Sequence, residues 1–302
     1  MRHLLLTFVS LIAFVVAMPA CADAPTPMLW KLSKGQSTVY LLGSMHFLKT
    51  GDYPLSADVE SAYKDAEQLV FEISPENLNS PATAAAMLQR GMFHDGKTLQ
   101  SVLAPQTWKE VAAYGVQNGL PAAYLQTMEP WLVSTILVVL ESKKLGLDPT
   151  SGLDMHFMTE AKTDHKPTQG LETADQQFAI LAGGSLKMQE QMLKQSLDEL
   201  GDFPKEMGKE YDAWRRGDVD SMLAQTRKEF AKYPDLYQQI LVQRNRAWIP
   251  KIEHLLDGTN DTLVVVGALH LPGPDGVVKL LQAKGYKVER VCTGCVKVAH
   301  KS

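Results

Sequence analysis

Two stretches near opposite ends of this chain read as the same unit, and they constrain the fold more than any other feature. One is Thr38-Val39-Tyr40-Leu41-Leu42-Gly43-Ser44-Met45-His46. The other is Thr262-Leu263-Val264-Val265-Val266-Gly267-Ala268-Leu269-His270. Each is a threonine, four apolar residues, a glycine, two further residues and a histidine. A continuous apolar run of this length reads as a strand buried on both faces. A glycine directly after the strand permits a tight turn and close backbone approach. The histidine then projects beyond the carboxyl end of the strand, where open α/β sheets bind ligands. Two such units side by side would aim two imidazoles at one place.

The rest of the chain divides around these ends. Trp30-Lys31-Leu32 and Thr38 to Leu42 flank the turn residues Lys34-Gly35-Gln36, which predicts a hairpin. Asp52 to Glu67 carries Leu55, Val59, Ala62, Tyr63 and Ala66 at helical spacing, and Leu69-Val70-Phe71 follows as a buried strand closing on Glu72. From Pro81 to about Leu256 the pattern is helical, with prolines at plausible helix starts and glycines at ends. Within it, Gly152 to Asp164 reads as a helix and Pro167 to Leu171 as a short strand ending at Glu172. Thr262 to Val266, Gly276 to Ala283 and Tyr286 to Val291 then read as strand, amphipathic helix and strand. The expected fold is α/β. A mixed or parallel sheet is built from N- and C-terminal βαβ-like units (about 28–75 and 260–300), with a large helical insertion at about 80–256. Residues 23–302 form one domain in this reading.

Residues 1–22 are set apart as a secretory leader: Arg2, an uncharged run from Leu4 to Ala17, then the small residues Ala20-Cys21-Ala22 with cleavage near Ala22. A lipoprotein acylated at Cys21 is the less favoured form. The expected compartment is the periplasm or outside the cell, with no stable membrane span after cleavage. Trp131 to Leu140, broken by Ser134 and Thr135, is expected as a buried helix segment. The formal net charge of −4 carries no basic excess, which argues against nucleic acid as a partner. In an oxidising compartment the two remaining thiols, Cys292 and Cys295, are expected to form a disulfide. Redox catalysis is disfavoured, because the following Val296-Lys297-Val298 reads as extended and offers no helix N-terminus. Oligomeric state is not legible.

Carboxylates arrive at the same sheet edge as the histidines, Glu72 after one strand and Glu172 after another. Two imidazoles with one or two glutamates make a mixed N/O donor set with room for water. That set suits a divalent transition metal: Zn, Mn, Co or Fe(II). Such an ion would activate water and polarise a carbonyl. His94, His156, His165, His254 and His300 fall in helical or loop stretches and read as surface or packing residues.

The chain resembles the TraB/GumN family, related to the TIKI metalloproteases. The resemblance rests on Leu41 to His46, Phe71-Glu72, Gly152-Leu153-Asp154, Gly170-Leu171-Glu172-Thr173, Tyr211-x-x-Trp214 with Gly217-Asp218, Arg244-Asn245-x-x-Trp248, and Val266 to Gly273. It implies an α/β fold with a helical insertion, His46 and His270 as metal-site residues, and Glu72 as ligand or general base. Glu172 competes with Glu72 for the ligand role. Arg244 reads either as an oxyanion-stabilising group or as an ion pair holding the insertion. Asp154 and Asn245 read as orienting groups, with helix capping open for Asp154; Gly43 and Gly267 support the turns. The expected activity is a metal-dependent hydrolase, peptidase-like, acting on a peptide or small amide. A non-catalytic peptide- or metal-binding protein and an esterase-type hydrolase are the alternatives.

Overall fold

A computed structural model of the chain describes residues 24–231 and 233–293. The leader, Cys21, Cys295 and His300 lie outside these residues, so leader cleavage and the Cys292–Cys295 pairing remain expectations.

Six strands form one mixed sheet: β1 (Leu29–Lys34), β2 (Ser37–Ser44), β3 (Gln68–Ile73), β4 (Thr168–Glu172), β5 (Thr262–Gly267) and β6 (Glu289–Arg290), in spatial order β4-β3-β5-β2-β1-β6. The first four in that order are mutually parallel, β1 runs antiparallel to β2, and β6 at the far edge runs antiparallel to β1. The hairpin expected from the turn at Lys34-Gly35-Gln36 is β1–β2. β3 is buried along its whole length and β5 in all but its last residue, because both lie inside the sheet with cover on both faces. Val39, Leu41, Leu69, Phe71 and Leu263 to Val266 form the centre of the main core.

The two glycine–histidine strands, 224 positions apart in the chain, are direct neighbours. β2 pairs with β5 in parallel, but one residue out of step: Gly43 sits opposite Val266 and Ser44 opposite Gly267. Side chains alternate faces along a strand, so this offset makes the two units non-equivalent. Gly43 receives the backbone of Ala268 at 3.1 Å from where a Cβ would stand, whereas the same position on Gly267 would meet Glu72 Oε1 at 3.2 Å.

Two local expectations are corrected. The helix expected over 52–67 is a short turn at Thr50–Asp52 followed by a helix at Ala57–Asp65. Pro54 forces Tyr53 into an extended conformation and splits the run. The strand expected over 286–291 pairs only at Glu289–Arg290. The C-terminal unit runs β5, the helix Val277–Ala283 and then β6 in the same direction as β5, but the two strands are not neighbours. β5 already has β2 and β3 on its two sides, so β6 joins the open edge beside β1.

The insertion folds as helices with a second core around Val111, Tyr114, Trp131, Val133, Leu137 and Leu193. Trp131 to Leu140 lies inside the Pro130–Lys144 helix, as expected of a buried segment. No helix among the described residues is long and apolar enough to cross a membrane.

Candidate functional site

The carboxyl edge of the four parallel strands receives one site residue per strand. In spatial order these are Glu172 at the end of β4, Glu72 near the end of β3, His270 just after β5 and His46 just after β2. Helices of the insertion then supply the partners that fix each side chain.

At one end stands His46. Its Nδ1–H donates to Asp154 Oδ2 at 2.8 Å, and the Ser44 hydroxyl donates to Asp154 Oδ1 at 2.9 Å. Asp154 lies in the first turn of the Leu153–Thr163 helix, and its carboxylate serves this pair. That helix docks directly on the histidine segment. Leu153 N–H donates to Met45 O at 3.0 Å, and a Cβ on Gly152 would come within 2.2 Å of His46 O. Only glycine permits this approach, which accounts for the Gly152-Leu153-Asp154 sequence. The His46 side chain is 60% exposed. The Asp154 carboxylate raises its pKa to about 9, so the ring is an imidazolium near neutral pH.

On the neighbouring strand stands His270, almost fully buried. Its Nδ1 lies 2.6 Å from Asn245 Oδ1. Asn245 spends its amide N–H on Asp275 O at 2.9 Å, so its oxygen faces the ring and His270 carries the proton on Nδ1. The Trp248 ring packs at 4.4 Å. Burial lowers the His270 pKa to about 3, which keeps the ring neutral.

Between the strand ends, Arg244 joins the carboxylates. Its Nη2 donates to Glu72 Oε2 at 2.5 Å and to Glu172 Oε1; its Nε donates to Glu172 Oε1 at 3.0 Å. Its Nη1 donates to Ile240 O at 3.2 Å and to His270 Nε2 at 3.1 Å. These contacts use all five guanidinium N–H groups. Of the two roles open for Arg244, the geometry therefore supports the ion pair and leaves no donor for an oxyanion. A π-helical turn at Gln238–Val242 precedes Arg244 and shifts the register with which it enters the cluster. Gly267 N–H donates to Glu72 Oε1 at 2.8 Å. Burial pushes the Glu72 carboxyl up. The surrounding partners, with His270 and Arg244 foremost, outweigh burial and bring it down to about 2. Because His270 is neutral, Arg244 supplies the charge.

Several participants had no signal in the sequence reading. Gln177 donates from Nε2 to both Glu72 Oε2 and Glu172 Oε1, each at 2.8 Å. Thr173 and Gln176 cap its helix, so the Glu172-Thr173 pair could have pointed to it. Trp214 Nε1–H donates to Gly43 O at 3.0 Å and pins the Phe203–Arg216 helix to the end of β2. On that helix Glu210 comes within electrostatic reach of His46, and burial raises its carboxyl to about 7. Of the other histidines, His156 packs on Tyr53 at 4.1 Å, as expected of a packing residue.

The fit of a metal can be judged from the donors. Each histidine is held through Nδ1, as metal-ligating histidines are. Yet His270 Nε2, Glu72 Oε2 and both Glu172 oxygens already accept from Arg244, and Glu72 Oε1 accepts from Gly267 N–H. Among the described residues no three His, Cys, Asp or Glu side chains converge as a ligand set. As arranged, these acceptors hold a guanidinium.

The chain is 23% identical to YbaP of Escherichia coli, an uncharacterised protein, over 251 residues covering 82% of this chain and 89% of the relative. YbaP of Shigella flexneri matches to the same extent. An uncharacterised protein of Treponema pallidum is 22% identical over 89% of this chain and 84% of its own. No solved structure matches. The sequence model of the TraB/PrgY/gumN family spans residues 28–290, which includes every strand and every site residue above, and the chain belongs to that family.

Proposed function

We propose that this chain is a hydrolase of carbonyl substrates, with peptide-type amides ahead of esters. The observation that carries the reading is the strand-by-strand delivery of Glu172, Glu72, His270 and His46 to one sheet edge, with each imidazole held through Nδ1 by a separate partner. Hydrolysis of an amide takes a proton from attacking water and gives one to the leaving nitrogen. His46, held by Asp154, is the proton-giving side. Glu72 and His270, 3.9 Å apart, become the proton-accepting side once Arg244 withdraws from His270 Nε2 and Glu72 Oε2, which frees their lone pairs and removes the adjacent positive charge. The metal-dependent form of this reading requires Arg244 to release His270 Nε2 and Glu72 to Zn, Mn, Co or Fe(II). Export to the periplasm or beyond belongs to the same proposal and rests on the leader alone.

A second reading is binding without turnover. It is favoured by the full commitment of Arg244, which leaves a static ion-pair cluster at the edge.

One experiment separates the readings. The purified protein is incubated with a peptide library and an ester panel, with each of the four metals and with chelator, and products are read by mass spectrometry. Cleavage is expected, falling by about 100-fold or more in His46→Ala and in His270→Ala, the usual scale of a lost proton-transfer group. Cleavage that needs an added metal selects the metal-dependent form. Bound but intact peptide under every condition selects the second reading. Cleavage unchanged in both variants removes the site from consideration.

A further inference from the structure

A cavity of about 340 Å³ adjoins the candidate site, walled by Leu223, Phe230, Pro234, Leu241, Leu269 and Pro272. Asn245 belongs to both places. Its Oδ1 faces His270, and the residue also lines the cavity. Leu269 stands directly before His270 in the second histidine motif, so the cavity and the imidazole share a backbone segment.

The polar groups in the wall are already satisfied. Thr226 donates its hydroxyl to Met222 O at 2.9 Å, and Tyr237 donates to Asp275 Oδ2 at 3.2 Å. Asn245 Nδ2 donates to Asp275 O. The rest of the lining is mainly apolar. The exposed Arg227 and the half-buried Asp275 add one charge of each sign to the lining, which suits the N–H and C=O dipoles of a peptide backbone.

We infer that this cavity receives a bulky apolar side chain of a peptide, seated so that the adjoining peptide bond reaches the His46–His270 edge. An engineered cavity of about 150 Å³ accommodates benzene. The volume here is about twice that, which is enough for an aromatic or long aliphatic side chain. That the peptide is a substrate rests on the hydrolase reading, whereas its binding does not.

The test uses blocked pentapeptides, Gly-Gly-X-Gly-Gly, with X as Phe, Leu, Ala or Lys. Binding is measured by isothermal titration calorimetry and cleavage by mass spectrometry. Phe and Leu peptides are expected to bind at least about tenfold more tightly than Ala or Lys peptides, the scale of discrimination an apolar pocket supplies. Leu223→Trp fills the cavity and is expected to abolish that preference. Leu223→Ala enlarges the cavity and is expected to shift preference from Leu toward Phe. A thermal melt reports whether each variant is folded, and if Leu223→Trp does not fold, Leu223→Ala decides alone. Equal binding of all four peptides overturns the inference, as does an unchanged preference in a folded Leu223 variant. Apolar preference without cleavage sinks the hydrolase reading and leaves the pocket standing. Cleavage without apolar preference does the reverse.

Discussion

Replacing Arg244 with methionine tests the electrostatic reading of the site most directly. The substitution keeps an apolar stem of similar length against Trp248, whose ring lies 5.0 Å from the guanidinium. It removes five N–H donors and the charge that compensates Glu72 and Glu172. Both carboxylates are buried, at 10% and 8% side-chain exposure. Breaking a buried ion pair by removing one partner costs about 3–5 kcal/mol, because the remaining charge is left uncompensated. Gln177 continues to donate to both carboxylates and softens the loss, so the lower half of that range is expected at pH 7.

The pH dependence carries a sign. In the wild type, Glu72 is held at about 2, below its usual 4.5, so its contribution is present above pH 4.5 and lost as pH falls toward 2. Without Arg244, burial dominates and raises the Glu72 carboxyl above its unfolded value. The variant is then penalised most at high pH and relieved as the carboxyl protonates. Urea unfolding of both proteins at pH 7 and pH 5 should therefore show a smaller difference at pH 5. Arg244→Met with Glu172→Gln should recover part of the loss, since it removes one uncompensated charge. A cost under about 1 kcal/mol, or one equal at both pH values, would refute the assignment of Arg244 as the charge that holds the cluster together.

Asp154→Asn removes the first cause of the raised His46 pKa. An NMR titration should show His46 dropping from about 9 toward 6.5, and an unchanged value would mean another group sets it. Gly152→Ala places a methyl against His46 O and should cost about 1–3 kcal/mol in a denaturation curve, with the same downward move of His46. A variant as stable as wild type would show that the helix does not dock as described. His270 should show no imidazole titration between pH 5 and 8. Its folded pKa of about 3 lies below the unfolded 6.5, so stability is full above pH 6.5 and declines as pH falls toward 3. The decline is on the order of 4–5 kcal/mol, measurable by chemical denaturation across that window.

The two histidine strands, the hairpin, the strand ending at Glu72 and the short strand ending at Glu172 were legible from the chain alone. Each rests on local information: an apolar run, a turn residue, a break at proline or glycine. The same local logic placed Gly152-Leu153-Asp154 at a helix start. It failed at Tyr53-Pro54, where the helix was started at Asp52 although the apolar periodicity begins only at Leu55, after the proline. Tertiary structure alone decided the spatial order Glu172, Glu72, His270, His46, because it depends on β5 entering between β2 and β3 from nearly two hundred residues away. It also decided the one-residue offset between the two motifs, which sequence identity conceals and which sends their glycines to opposite faces. The role of Arg244 and the presence of Gln177 and Glu210 depend on how the insertion helices dock on the sheet. Periodicity shows that a helix has a face to bury; only packing determines which long side chains from other faces reach a buried carboxylate. The paired histidines were therefore visible in sequence, while the opposed protonation that gives them a chemistry came from partners the fold supplied.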